Sequence, residues 1–337
     1  MPRLLLYAPT AERLAPALAA HGPGLEVLIL GDDGAIRLDG AEISPEAAQV
    51  EAAWANHEVF FSPAARPFFV ALLKSSALRW VQSAAAGFDN AVFGEIARKG
   101  AILTTSHGQA VGMADYVLHG VLDHFQRGPE RRAAQANRVW WRESFREVAG
   151  STWLIVGFGA IGQGVAQRAR AFGAEVIGVK RDRTDPGPAH RLVGLEDLAA
   201  ELPGADVVVL SVPLTPATRH LADAGFFAAM KPGSVFVNVG RGGLVDEAAL
   251  LAALDRGVPD HAVLDVFAVE PLPTESPFWA HPRVSLNGHA SGLTGGQHSR
   301  NEVLFLDNLD RFLKGHALRH PADPADVLAG LEHDAPS

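Results

Sequence analysis

The chain has 337 residues, more than one hydrophobic core usually serves, so two domains are expected. Its 38 acidic against 29 basic residues give a net charge of −9, which works against non-specific binding to nucleic acid or to an anionic membrane surface. With no cysteine it has no disulfide, thiolate nucleophile or cysteine-type zinc site; no apolar run reaches the roughly 18 residues of a membrane span, and the apolar part of MPRLLLYAPT is too short for a signal peptide.

The expectation is therefore a cytoplasmic protein without a membrane or nucleic-acid partner. An acid/base enzyme, a cofactor enzyme and a binding protein all remain open.

Short apolar, β-branched runs alternate with helical stretches along most of the chain, the pattern of parallel α/β architecture. Strands are expected at 4–8 (LLLYA), 26–30 (EVLIL), 79–83 (RWVQS), 101–105 (AILTT), 152–157 (TWLIVG), 175–179 (EVIGV), 206–212 (DVVVLSV), 234–239 (SVFVNV), 262–267 (AVLDVF) and 283–286 (RVSL). Between them PFFVALLKSS, AVFGEIARKG, GQGVAQRARAF and DEAALLAALDRG read as helices, several closing on a basic residue and glycine. VGMADYVLHGVLDHFQRG reads as one long amphipathic helix at the joint between domains, followed by the charged and aromatic PERRAAQANRVWWRES. SRNEVLFLDNLDRFLKG has no strand partner in the second α/β unit and is expected to return to the first domain. The last residues, HPADPADVLAGLEHDAPS, read as a peripheral arm or a frayed tail.

TWLIVGFGAIGQGVAQRARAF places Gly157, Gly159 and Gly162 in a G-x-G-x-x-G turn between a strand and a helix. There the first glycine makes the turn, the second lets the backbone approach a pyrophosphate, and the third lets the helix pack closely, its free amides holding the anion. The next strand, EVIGV, ends at Lys180, Arg181 and Asp182. An acid at this strand end accepts from the ribose hydroxyls of NAD, whereas basic residues suit the 2′-phosphate of NADP. Lys180 and Arg181 favour NADP(H) over NAD(H); Asp182 is the acid if the strand runs longer.

Three later strand ends carry polar groups of complementary chemistry. SVFVNVGRGGLVDEAAL offers Arg241 between glycines, AVLDVFAVEPLP offers Asp265 and Glu270, and VSLNGHASG offers His289, one of 14 histidines. In open parallel sheets ligands bind outside the carboxyl ends of the strands. A guanidinium, a carboxylate and an imidazole are thus expected on one rim. His107, His119, His124, His220, His298 and His316 lack such a setting and read as surface or packing residues, and Trp140 and Trp141 as buried or at a subunit interface.

These segments resemble the D-2-hydroxyacid dehydrogenase family, whose signatures are a GxGxIG turn, N-x-x-R-G-G-L-V-D-E-x-A-L, D-V-F-x-x-E-P-L-P and T-P-H-x-x-G-x-T. The resemblance runs from RWVQSAAAGFDN, near residue 79, to LDNLDRFLKGH, near 316. It implies two doubly wound parallel-sheet domains, with a Rossmann cofactor domain (105–288) inserted in a flavodoxin-like substrate domain (1–104 plus 289–337). It implies catalytic roles for Arg241, Glu270 and His289, with Asp265 contacting the nicotinamide amide. Ala86 and Gly87, in AAAGFDN, would bind the substrate carboxylate together with Arg241. The expected cofactor contacts are Gly157, Gly159, Ala160, Ile161, Gly162, Lys180, Arg181, Pro213, Thr218, Val239 and Asp265. In relatives the Trp140 region lies near the dimer contact, which implies a homodimer.

The reaction implied is reversible reduction of a small 2-keto acid, glyoxylate or hydroxypyruvate first, to the D-2-hydroxy acid. His289 would act as general acid, Glu270 would hydrogen-bond its other nitrogen, and Arg241 would grip the carboxylate with its planar fork. Asn287-Gly288 stands where the family has Thr-Pro, and Gln109, Gly112 and Asp115 stand where it has Asn, Ser or Thr, and Glu. No glutamine shortly precedes His289 as in the family's formate enzymes. The rival reading of another class is a dinucleotide-sensing co-regulator on the same scaffold.

Overall fold

The computed structural model describes residues 1–84 and 90–331. Two compact units emerge, one formed by Met1–Gly108 with His298–Ser337 and the other by Gln109–Gln297.

The first unit is built on a seven-stranded sheet: β1 (Arg3–Tyr7), β2 (Glu26–Leu30), β3 (Ile36–Leu38), β4 (Ala41–Ile43), β5 (Ala52–Ala55), β6 (Trp80–Ser83) and β7 (Ile102–Thr104). The order is β4-β3-β2-β1-β5-β6-β7. The five parallel strands follow the flavodoxin-like order, and β3 and β4 extend the edge as an antiparallel hairpin. Asp39 and Gly40 close that hairpin with φ of 51° and 82°, the left-handed pair that a tight two-residue hairpin turn requires.

Strand alternation gives this sheet two buried faces. Leu5, Tyr7, Leu28, Leu30, Ala53 and Val81 point to one, where Phe68 and Leu72 of the helix Ala65–Lys74 and Phe93 and Ile96 of the helix Ala91–Arg98 cover them. Leu4, Leu6, Trp54 and Trp80 point to the other. Phe305, Leu309 and Phe312, from the helix Gly295–Leu313, cover that second face. The Phe305 ring stacks on Trp54 at 4.5 Å and 9° and on Trp80 at 5.8 Å and 16°. The late helix returns to the first unit, as expected, because those two indoles would otherwise face water.

The second unit carries β8 (Thr152–Val156), β9 (Glu175–Val179), β10 (Arg191–Val193), β11 (Val207–Leu210), β12 (Val235–Asn238), β13 (His261–Leu264) and β14 (Val284–Leu286). Its order is β10-β9-β8-β11-β12-β13-β14 with every neighbouring pair parallel, the dinucleotide-binding order extended by one strand. Leu154, Val156, Val208, Leu210 and Phe236 fill the core on one face, while Trp153, Ile155, Val207, Val209, Val235 and Val237 fill the core on the other.

The divisions fall after Gly108 and Gln297, where the expected joints were 104 and 288. Residues 289–291 stay with the second unit because their amides bond to Asp265. Four strands escaped the sequence reading. β3, β4 and β10 have three residues each, and β5 is the alanine-rich AAWA, whose β propensity is low. Among the described residues no helix is long and apolar enough to cross a membrane.

Candidate active site

The glycine turn leaves β8 at Gly157, where φ is +99° and an added Cβ would lie 2.5 Å from the Ser211 carbonyl carbon. At Gly162 an added Cβ would meet the Gly157 carbonyl oxygen at 2.2 Å, so the helix Ala160–Ala171 packs directly on the turn. Gly159 differs from both, because its missing side chain would point into open space. No side chain caps this helix, whose first turn holds Ala160 and Ile161. Open amides at a helix N-terminus beside an uncrowded glycine fit a dinucleotide pyrophosphate.

β9 ends at Val179, and the Lys180 amide bonds to the Val193 carbonyl of the neighbouring β10 at 3.0 Å. Lys180 is half-buried and Arg181 exposed. Asp182 accepts from the Thr184 amide at 3.0 Å and hydroxyl at 2.7 Å, and these bonds hold its carboxyl below the usual range. Arg183, which the sequence reading passed over, pairs with Glu196 at 3.3 Å and Asp197 at 3.7 Å. Thr218 is buried in the loop after β11 and donates its hydroxyl to the Pro213 carbonyl at 2.8 Å; Val239 is buried at the end of β12.

The strand ends after β12, β13 and β14 are linked through their loops. Asn238 shapes the first one, its side chain accepting from the Gly240 amide at 3.1 Å and donating to the Arg241 carbonyl at 3.0 Å. Arg241 is extended, and its guanidinium donates to the Gly240 carbonyl at 2.8 Å. The neighbouring Gly242 lies against the Phe267 backbone, where an added Cβ would come within 1.9 Å. The Phe267 amide donates to Glu270 Oε1 at 2.9 Å, and Glu270 Oε2 lies 2.8 Å from His289 Nδ1. The pair is accessible, with 49% of the His289 side chain and 35% of the Glu270 side chain exposed.

Asp265 is 1% exposed at the end of β13. Its Oδ1 accepts from the Asn287 side chain at 2.9 Å and from the Ala290 and Ser291 amides at 3.0 Å each, and its Oδ2 accepts from the Ser291 hydroxyl. In the sequence Asn287 stood out only as a departure from the family's Thr-Pro and Ser291 not at all, although Asn-Gly before a histidine and a serine after it is a composition that favours side-chain bonding to a loop backbone. Ala86 and Gly87 lie outside the described residues.

A dinucleotide-binding unit with an imidazole–carboxylate pair at its strand ends has the parts of a nicotinamide-dependent oxidoreductase. The comparisons narrow that class. A family profile described as "D-isomer specific 2-hydroxyacid dehydrogenase, NAD binding domain" matches residues 118–291. The chain is 34% identical over 223 residues to glyoxylate/hydroxypyruvate reductase A of Serratia proteamaculans (strain 568), covering 66% of this chain and 70% of that one. It is 36% identical over 217 residues to (S)-sulfolactate dehydrogenase of Chromohalobacter salexigens, covering 63% of this chain and 70% of that one. Among solved structures, the NADPH-dependent glyoxylate/hydroxypyruvate reductase of Sinorhizobium meliloti, in complex with NADP and sulfate, matches with a TM-score of 0.74 at 29% identity, over 98% of this chain and 99% of that one. The chain belongs to the D-isomer-specific 2-hydroxyacid dehydrogenase family of oxidoreductases.

Proposed function

We propose that the protein reduces a small 2-keto acid of the glyoxylate or hydroxypyruvate kind to the corresponding D-2-hydroxy acid, reversibly, with NADPH preferred to NADH. The observation that carries this reading is the 2.8 Å contact between His289 Nδ1 and Glu270 Oε2 on a rim of strand ends that also holds Arg241. The names of similar proteins support the substrate class.

When bound, a reduced nicotinamide dinucleotide supplies the hydride that reaches the keto carbon. The first-turn amides after Gly159 hold the pyrophosphate, and Lys180 and Arg181 meet a 2′-phosphate. Asp182 is already engaged by Thr184, which leaves basic groups to define that strand end. Arg241 binds the substrate carboxylate through its planar fork. His289 donates a proton from Nε2 to the carbonyl oxygen as negative charge develops there. Glu270 fixes the ring's orientation through Nδ1 and compensates its charge before the proton leaves.

We further propose a homodimer formed through the segment after the helix Gly128–Ala136. Trp140 is 90% exposed there, so it is not a core residue; Val139 and Phe145 are 57% and 47% exposed, while Trp141 packs beneath Arg127 at 5.0 Å. Sedimentation of the wild type and of Trp140→Glu checks this, a dimer that splits in the variant being the expected result.

The deciding experiment is steady-state NADPH oxidation with glyoxylate, hydroxypyruvate, pyruvate, phenylpyruvate and longer 2-keto acids, alongside fluorescence titration with each dinucleotide. Turnover of a short keto acid is expected, with tighter binding of NADPH. Tight NADPH binding without turnover of any keto acid would favour a dinucleotide-sensing protein, and preference for NADH would overturn the role given to Lys180 and Arg181.

A further inference from the structure

We propose that Asp265 is a positioning residue for His289, its buried carboxylate holding the loop Asn287–Ser291 in the conformation that presents the imidazole to Glu270. This rests on the acid role given to His289 above, and it goes beyond the amide contact that the family resemblance implies for Asp265.

The loop needs external support. His289 has φ of +52°, a left-handed conformation that is uncommon for a residue with a Cβ and is held here by hydrogen bonds from the loop. Asp265 contributes at both of its acceptor groups. Its main-chain carbonyl accepts the His289 amide at 2.8 Å, and its side chain collects the Asn287 amide group, the Ala290 and Ser291 amides and the Ser291 hydroxyl. Every one of those donors lies within two residues of His289. The carboxylate is 1% exposed, so these charge-assisted bonds replace its hydration, and losing one exposes the anion to an unmet demand.

The helix Ala110–Phe125 closes the loop from another side. A Cβ on Gly112 would stand 2.4 Å from Thr294 Cγ2 and 3.1 Å from the Ser291 carbonyl oxygen, so there is no slack between helix and loop. Tyr116, one turn along, donates its hydroxyl to the Leu264 carbonyl at 3.1 Å. Burial, with the Asp265 charge as a second cause, pushes its ionisation well above the ordinary range. Asn287, standing where the family has threonine ahead of proline, thus ties the loop by a side-chain bond rather than by a stiffened backbone.

The test uses Asn287→Ala, Ser291→Ala and their double variant, which spare Asp265 itself, whose loss endangers folding. Each single variant is expected to lose about 10-fold in kcat and the pair about 100-fold, the scale of a small misplacement of a reacting group. KM and the NADPH dissociation constant should stay within about twofold of wild type, the kcat–pH profile should change shape, and Ser291→Thr, which keeps the hydroxyl, should restore turnover. In the protein without cofactor, the histidine-ring NMR signal absent from His289→Ala identifies His289, and it should move in the double variant. An unmoved signal, unchanged kcat in the double variant, or a loss of NADPH affinity matching the loss of kcat would each overturn the proposal. Unchanged turnover in His289→Ala would instead strike the acid role, and the ring signal of the double variant would still decide whether the loop holds the imidazole.

Discussion

Glu270 is bonded at both ends of its carboxylate: Oε1 accepts the Phe267 amide at 2.9 Å, and Oε2 meets Nδ1 of His289 at 2.8 Å. One oxygen anchors the group to its own loop while the other fixes the ring. In the proposed reaction, Nε2 is then the nitrogen left for exchange with a substrate oxygen.

His289→Ala is expected to lower kcat by about 10² to 10⁴, the usual worth of a positioned general acid. Glu270→Gln keeps the shape but loses the charge that faces the ring, so its loss should be smaller. The check is turnover of the preferred keto acid under saturating NADPH, and near-normal kcat in His289→Ala would refute the assignment.

Arg241→Ala should act on substrate rather than on dinucleotide. Losing a charged two-pronged hydrogen bond to a carboxylate corresponds to about 10- to 100-fold in KM. Arg241→Lys should recover little of it, because an ammonium cannot reproduce the planar fork. Fluorescence titration should show NADPH binding retained in both, and the reverse pattern would count against the role.

The first two glycines of the turn should separate under substitution. Gly157→Ala puts a Cβ against the Ser211 backbone at φ +99°, and is expected to cost about 2 kcal/mol or more and to lower Tm. Gly159→Ala meets no atom of the protein, so Tm should hold while NADPH affinity falls, the methyl group occupying the approach of the pyrophosphate. Equal affinity for NADPH in wild type and Gly159→Ala would remove the turn from the binding site.

Acid should destabilise the fold through two sequestered histidines. Burial is the main cause that brings His107, whose ring lies 3.9 Å from that of His320, down to about 4. It likewise brings His261, stacked on His124 at 4.5 Å, down to about 4. In the unfolded chain these histidines protonate near the ordinary 6.5, so below that pH it binds protons that the folded state refuses. The stabilisation is complete above that value and is lost as pH falls towards about 4, up to about 3 kcal/mol for each group. Thermal melts from about pH 7 to about pH 4.5 should show the decline, and His261→Asn should flatten it. A Tm independent of pH over that window would contradict the burial argument.

What the sequence disclosed follows from where the information is local. β2 and β9 coincide with their expected bounds, because EVLIL and EVIGV combine apolar, β-branched residues with clear flanks. AAWA carries no such signal, and β5 exists because its backbone pairs with β1 and β6 and its indole meets Phe305. The hairpin of β3 and β4 was missed, because its three-residue arms are too short to show alternation. At the site, Glu270 and His289 were readable as a set from their motifs. The cage around Asp265 was not, since its donors come from another strand end and only the folded loop aims them.

The stacking of Phe305 between Trp54 and Trp80 also bears on the order of folding. A ribosome that has released residues 1–108 has delivered the seven strands of the first sheet, yet part of one face, covered so far by Ala11, Leu14 and Leu18, waits for a helix made nearly two hundred positions later. The second unit, whose residues are contiguous, is free to mature during that interval. Until that helix has been made, the nascent polypeptide leaves Trp54 and Trp80 without the ring that stacks on both, a natural foothold for a chaperone and a hazard for self-association.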